Sequence, residues 1–365
     1  MAVAMAGSLF FTVPTSQARE RVAMYLLLTM APFALIAPVL GPILDRHFGA
    51  RRLLVILGAG GRGLLAWILA TRIDGFLVFP VAFAVLVLSR AHGVVRAALV
   101  PSVVSEPARY VDANARLARL SVVAGAIGAM PGAGILKIWG SPWVLRAAAL
   151  VYLASAASAV RLPRPGRSQR PAFAPFHPGP HALAAALPMA ALRGLVGFTV
   201  FLLAFGLRRL HMADVTLGYM IALYGAASFA GTLVAPALAA ATSEEYLLLS
   251  GVLVTAGAGV GLGFASGIWP LAAFTTLLGL AAGGARLGFD GVLQRFAPDA
   301  SRGRVFARFE TRLQLAWVAG AALPTVLPIP LNTGLWLEGI AAIAAAMAYG
   351  FVLFSFRRHP PAMPA

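Results

Sequence analysis

Residues 76–99 read FLVFPVAFAVLVLSRAHGVVRAAL, an apolar run with two arginines and no acidic residue. An α-helix rises 1.5 Å per residue, so about 20 apolar residues cross the roughly 30 Å of hydrocarbon in a bilayer. Backbone groups in lipid must find hydrogen-bond partners within their own segment, and a helix provides them. The run therefore predicts a membrane-spanning helix, and similar runs recur along the whole chain.

The composition excludes an ordinary water-soluble domain. Of the 365 residues, 60% are hydrophobic and 11% are charged, and the mean hydropathy is +0.85, whereas soluble domains have roughly 25% charged residues. The net charge is +17, but the arginines lie mostly between apolar runs, so we expect a lipid bilayer and no nucleic acid as partner. Since the chain has no cysteine, disulfides and thiol-ligated metals are excluded.

The apolar runs predict twelve helices in an all-α polytopic membrane protein. The first run is too short, because thirteen residues span only about 20 Å as a helix. We therefore expect the chain to begin inside its first helix, and its start lacks the features of a signal peptide. The predicted helices are 1–13, 22–44, 53–71, 76–99, 118–139, 142–160, 183–207, 213–240, 245–265, 268–290, 305–326 and 331–355.

The basic residues between these helices predict the orientation. Seventeen lie in the segments on one side and seven on the other, and basic residues are retained in the cytoplasm. Both termini are thus predicted to be cytoplasmic, in a plasma or bacterial inner membrane. Glu244 and Glu245 belong to the same side and have no basic neighbour in sequence.

A Pro- and Arg-rich stretch near the middle of the chain predicts two domains. We expect a helix bundle over 1–160, a cytoplasmic linker over 161–182, a second bundle over 183–356 and a tail over 357–365. Sliding the second half over the first by 196 positions places Arg286 on Arg90 and Arg312 on Arg116. An internal repeat of six helices with a substrate site between the halves is the plan of many transporters.

Two stretches carry a resemblance to a known family. The loop from Gly41 through Asp45, Arg46 and Gly49 to Arg52 resembles the signature loop of the major facilitator superfamily, and Ser89–Leu120 is similar to its macrolide-efflux and enterobactin-exporter-like branch. The small residues Gly128, Pro131, Gly132 and Gly134 are similar to the family's antiporter motif. The resemblance implies two six-helix bundles and export of a hydrophobic or amphipathic small molecule. For most glycines within the predicted helices, close helix packing is the simpler interpretation.

The resemblance also implies a cytoplasmic latch. In the family, an acid and arginines in this loop hold the inner side shut in one state, a role that falls here on Asp45 with Arg46 and Arg52 beside it and Arg96 as partner. Carboxylates and arginines can bond to helix ends. The alternative is that the arginines only enforce topology.

Arg90 is predicted to lie about 16 Å from the inner end of its helix, near the membrane centre. A guanidinium there must be paired or face water, so we expect it to line the central cavity. Its repeat counterpart Arg286 has Asp290 four residues on, along the same helix face. The alternative is a purely structural ion pair. Arg62 and Arg193 also lie in apolar runs and can snorkel or pair structurally.

Proton coupling needs a titratable group that changes charge as the cavity changes sides. The candidates are Asp290, Glu338 and, after them, His92. The alternative for Glu338 is a carboxyl that bonds to another helix. No nucleotide-binding loop, metalloprotease motif or nucleophile elbow is present, so we expect neither an enzyme nor a bound cofactor or metal.

These patterns predict a monomeric secondary transporter that exports a small molecule by alternating access and couples it to protons. The alternative is a transport-inactive relative that acts as a membrane sensor or assembly protein.

Overall fold

The computed structural model describes residues 50–71, 78–104, 106–161, 179–210, 212, 214–296 and 302–358. Ten α-helices and a short 3-10 helix, Pro107–Arg109, account for most of these residues. The α-helices are α1 Ala50–Thr71, α2 Val78–Val103, α3 Tyr110–Trp139, α4 Ser141–Ala159, α5 Pro180–Arg209, α6 Asp214–Ala241, α7 Glu244–Gly263, α8 Ile268–Phe296, α9 Arg302–Val326 and α10 Leu331–Arg358.

These helices confirm the predicted third to twelfth helices, most with boundaries that differ by a few residues. The main difference is that α3 begins at Tyr110 rather than 118, since its polar first turns lowered the apolar signal. The predicted helices 1–13 and 22–44, most of the linker and most of the tail lie outside the described residues, so the shortened first helix stays a prediction.

Nine of the ten described helices are long and apolar enough to cross a membrane. The exception is α9, whose first half holds a cluster of charged residues: Arg302, Arg304, Arg308, Glu310 and Arg312. Exposed aromatic side chains lie near the connections between α3 and α4 (Trp139, Trp143) and between α7 and α8 (Phe264, Trp269). Aromatic residues at helix ends are typical of the membrane–water interface. The chain is therefore a multi-pass membrane protein.

The described helices form two compact units. Unit one contains α5, α6, α7, α8 up to Val292, α9 from Arg312, and α10; unit two contains α1 to α4, the end of α8 from Leu293, and α9 up to Thr311. The helices α8 and α9 thus each contribute to both units. The domain boundaries expected from the sequence remain a prediction.

Close backbone approach joins the helices within unit one. A Cβ atom on Gly259 of α7 would lie 2.6 Å from the Cα of Gly339 on α10 and 2.8 Å from the carbonyl oxygen of Leu335. Without a hydrophobic driving force between helices in lipid, such small residues let helices gain van der Waals contact. The seam between α7 and α10 therefore depends on glycine.

The same pairing recurs in unit two, where α1 packs against α4. A Cβ on Gly63 of α1 would lie 3.0 Å from the Cγ of Leu153 and 3.1 Å from the carbonyl oxygen of Ala149 on α4. The 196-residue shift that aligns Arg90 with Arg286 also places Gly63 on Gly259. The third and sixth helices of each predicted half thus meet through equivalent glycines, which supports the internal repeat.

Substituting Gly259→Ala should destabilise unit one by about 1–3 kcal/mol, the usual cost of overpacking. The matched control is Gly257→Ala on the same helix, where no described atom lies within 4 Å of the added Cβ. Heat-induced unfolding in detergent, followed by circular dichroism, should give a lower midpoint for Gly259→Ala alone. Equal midpoints for the two variants would contradict the glycine seam.

Candidate functional site

The predicted latch falls only partly within the described residues. Gly41, Asp45, Arg46 and Gly49 lie outside them. Arg52 on α1 donates to the carbonyl oxygen of Val160 at the end of α4, and Nη1 of Arg96 on α2 donates to Oγ of Ser121 on α3 at 2.9 Å. Each arginine therefore ties two helices of unit two together, and the latch with Asp45 stays a prediction.

The ion pair expected on α8 is present. Nε of Arg286 donates to Oδ2 of Asp290 at 3.2 Å, with 29% and 13% of the two side chains exposed. Opposite charges four residues apart on a helix stabilise each other. Within an apolar segment, a charged side chain needs such a partner because its burial is costly. Arg90 is exposed on α2 of unit two. The cavity roles of Arg90, Arg286 and Asp290 are not decided by these contacts and stay predictions.

Glu338 is the most buried acid among the described residues. Its side chain is 1% exposed and lies on α10 in unit one. Oγ1 of Thr199 on α5 is 2.8 Å from its Oε2, which confirms a carboxyl bonded to another helix. Its Oε1 is buried and has no hydrogen-bond partner among the described residues.

The hydroxyl of Thr199 limits how this contact is made. Its Oγ1 also lies 2.9 Å from the carbonyl oxygen of Leu195, the usual back-bond of a threonine in a helix. A hydroxyl has one hydrogen to donate, but its oxygen can also accept. The two contacts can be made by sharing the one hydrogen between both acceptors, or by donation to Leu195 and acceptance from a protonated Glu338. In either form Thr199 ties α5 to α10 at Glu338.

Three polar groups meet inside unit two at the end of α8. Nδ2 of Asn114 on α3 donates to Oε1 of Gln294 at 2.7 Å, and Nε2 of Gln294 donates to the carbonyl oxygen of Ala97 on α2 at 3.0 Å. Gln294 is 0% exposed and Asn114 is 8% exposed. We call these three residues the amide cluster. Because a buried amide left unpaired costs about 1–3 kcal/mol, the cluster fixes the end of α8 against α2 and α3.

The sequence analysis missed the amide cluster, although two signals were available. Asn114 is one of only two asparagines in the chain. Gln294 lies four residues after Asp290 and eight after Arg286, and thus continues the same polar helix face. What no sequence spacing indicates is that residues 114 and 294 meet, because 180 positions separate them.

The predicted glycine packing is confirmed in α1 and is not seen in α3. Gly63 meets α4, as described above, and a Cβ on Gly61 would lie 3.1 Å from Cδ1 of Leu88 on α2. By contrast, no described atom lies within 4 Å of a Cβ built on the α3 glycines. That helix continues through Pro131 to Trp139. The role of the predicted antiporter motif therefore stays a prediction; its residues are Gly128, Pro131, Gly132 and Gly134.

Arg62 is the intramembrane arginine whose structural interpretation is best supported. Its guanidinium carbon lies 4.8 Å from the ring centre of Tyr152 on α4, and its Nε donates to the carbonyl oxygen of Gly58 at 3.0 Å. A cation over an aromatic face is attracted by the ring quadrupole. His92 on α2 lies close enough to Arg62 and Arg96 to interact with both charges.

One of the two acids without a basic neighbour in sequence, Glu245, lies near a histidine in unit one. Nδ1 of His181 on α5 is 3.9 Å from Oε1 of Glu245 on α7. Beside it, Arg357 on α10 donates to the hydroxyl of Tyr246.

Comparison with known proteins gives relatives along almost the whole chain. No protein-family model matches it. An uncharacterized protein of Mycobacterium tuberculosis (strain H37Rv) is 30% identical over 98% of this chain and 71% of that protein. An uncharacterized protein of Mycobacterium leprae (strain TN) is 29% identical over 98% of this chain and 68% of its own length. The chain belongs to this mycobacterial family.

Solved structures show the fold of this chain. A bacterial homologue of the iron transporter ferroportin in an outward-facing state superposes with a TM-score of 0.71 at 18% identity, over 97% of this chain and 94% of that one. The proton:xylose symporter XylE gives 0.68 at 15% identity, over 96% and 90%. The transporter FucP in the outward conformation gives 0.64 at 11% identity, over 94% and 92%. The predicted major facilitator fold is therefore confirmed.

Loss of the hydrogen bonds in the amide cluster should expose the buried residues beside it. The chain has no cysteine, so Ala115→Cys, at a position that is 0% exposed, introduces a single thiol beside Asn114. Adding Gln294→Ala should speed labelling of that thiol by about tenfold, since a lost contact of roughly 1.4 kcal/mol changes an equilibrium by that factor.

The control adds Asn332→Ala to the same cysteine variant. Nδ2 of Asn332 donates to Oγ of Ser266 at 3.1 Å at an exposed position of unit one, so its loss should leave the labelling rate unchanged. Maleimide labelling of membrane vesicles measures both rates. Equal rates for the two variants would show that the amide cluster does not hold α8.

Proposed function

We propose that the chain is a secondary transporter that moves a small molecule across the membrane by alternating access. The observation that carries the proposal is the fold, which the chain shares over more than nine-tenths of its length with transporters such as XylE and FucP. One fold can host several functions, so the mechanism must be argued from residues of this chain. Alternating access needs contacts that hold one state and can be broken, and the amide cluster is a set of such contacts.

The transported molecule in this proposal is hydrophobic or amphipathic and is exported, as in the macrolide-efflux and enterobactin-exporter-like branch that the sequence resembles. The bundles are proposed to follow the boundaries given above and to lie in the plasma or inner membrane as a monomer, with both termini in the cytoplasm. Arg90 is proposed to face the substrate cavity, with Arg286 and Asp290 as its counterparts in the other half.

Protons are proposed to drive the export through Glu338. Three features support this choice: the carboxyl is buried, its Oε1 lacks a hydrogen-bond partner among the described residues, and its Oε2 lies 2.8 Å from the hydroxyl of Thr199 on α5. A buried carboxyl that alternates between a protonated, bonded state and an ionised state exposed to water provides the charge change that coupling needs.

Dye movement in proteoliposomes tests transport itself. With a fluorescent amphipathic dye and an imposed proton gradient, the wild type should move dye, and a protonophore should abolish the movement. Arg90→Ala should lower the rate at least tenfold because the cavity loses its cation. Arg146→Ala is the control, since that guanidinium stacks on Trp143 within unit two, 4.7 Å from the ring centre.

Each result of this assay has one meaning. A wild type that moves none of a panel of amphipathic dyes would favour the sensor or assembly protein over the transporter. Transport that is unaltered in Arg90→Ala would remove Arg90 from the mechanism.

Glu338→Gln tests the coupling separately, because glutamine keeps the size and the hydrogen bond to Thr199 but cannot release a proton. Dye movement driven by the proton gradient should fall by at least tenfold, while dye exchange at equal dye concentrations on both sides should persist. Glu245→Gln, at a partly exposed acid of the same unit, should leave both rates unchanged. Gradient-driven movement at the wild-type rate in Glu338→Gln would exclude Glu338 as the proton site.

A further inference from the structure

A cavity of about 610 Å³ lies in unit two between the end of α2 and the start of α3. Three arginines line it: Arg96 from α2, Arg109 from the 3-10 helix and Arg116 from α3. Leu99, Val103 and Leu117 form an apolar wall beside them. Arginines next to an apolar wall at the ends of two membrane helices match a molecule with an anionic head and a hydrocarbon chain.

The charges of the lining leave a positive excess for such a head. Of its two acids, Asp112 is already neutralised, since its carboxylate lies 3.0 Å from Nε of Arg116 and 3.9 Å from Nη2 of Arg119. The second acid, Glu106, is exposed at the rim. Arg96 and Arg109 therefore remain to bind an anion, Arg96 beside its contact with Ser121. Arginine is suited to phosphate because its planar donor fork can form two parallel hydrogen bonds.

The apolar wall continues along α3 beyond the cavity. Leu120, Val123, Ile127 and Met130 follow Leu117 at helical spacing, and they are 64%, 50%, 67% and 81% exposed. From Leu117 to Met130 this stripe is about 20 Å long, which is the length of a phospholipid acyl chain to within a few ångströms. The stripe belongs to a helix long and apolar enough to cross a membrane, so an acyl chain of a lipid whose head group enters the cavity would lie along it.

We propose that the cavity binds an anionic phospholipid, with its phosphate between Arg96 and Arg109 and an acyl chain along the α3 stripe. Basic pockets between membrane helices bind anionic head groups in this way. A lipid bound here would make the protein sensitive to the lipid composition of its own membrane.

Native mass spectrometry of the purified full chain tests the proposal, with phosphatidylglycerol and phosphatidylcholine of identical acyl chains as probes. The wild type should bind phosphatidylglycerol at least fivefold more tightly than phosphatidylcholine. Arg109→Gln should weaken phosphatidylglycerol binding by about fivefold, the effect of one arginine near a membrane surface. Arg146→Gln, a control on α4 whose guanidinium stacks on Trp143, should leave the binding unchanged.

Two further arms keep the proposal falsifiable. If Arg109→Gln does not fold, Arg96→Gln replaces it and should weaken binding by a similar factor. Phosphatidylglycerol binding should also fall as salt is raised, because the arginines are partly exposed. Inorganic phosphate at millimolar concentration should not displace the lipid. Equal binding of the two lipids, unchanged binding in the Arg109 variant, or full displacement by inorganic phosphate would each overturn the proposal.

Discussion

Polar side chains within the helices of this protein are costly to leave unpaired, because hydrocarbon offers no water to replace a missing partner. This constraint accounts for several of the contacts between helices within each unit. Thr199 and Glu338 join α5 to α10, while Arg62 lies over the ring of Tyr152 and joins α1 to α4. Because unpaired groups are costly, each pair also fixes the rotation of its helices about their own axes, which apolar contacts alone leave free.

The helix positions were predictable because the signal is local. A run of apolar residues shows its own length, and all ten described helices were expected within a few residues except at the start of α3 and the end of α8, which continues to Phe296. Tyr110 to Leu117 hold Asp112, Asn114 and Arg116, whose polarity conceals a helix that extends beyond the apolar run. The pairing of α1 with α4 and of α7 with α10 was not predicted, although the repeat places Gly63 and Gly259 at equivalent positions.

The polar partners were predictable only where they are close in sequence. The pair of Arg286 and Asp290 follows from helical spacing alone. The partner of Glu338 is 139 positions away and that of Gln294 is 180 away, and no pattern within one sequence links such positions. The arginines show a further limit. Charge asymmetry predicts basic residues such as Arg52 near helix ends, but it does not indicate that Arg52 bonds to the carbonyl of Val160, a helix-capping contact.

The helix α8 passes without a break from unit one to unit two between Val292 and Leu293. A loop between the units would absorb small displacements, whereas a hydrogen-bonded helix transmits them along its axis. The amide of Gln294 lies one turn from Asp290 and two turns from Arg286 on the same helix. One uninterrupted backbone ladder therefore carries both the buried amide contacts and the ion pair.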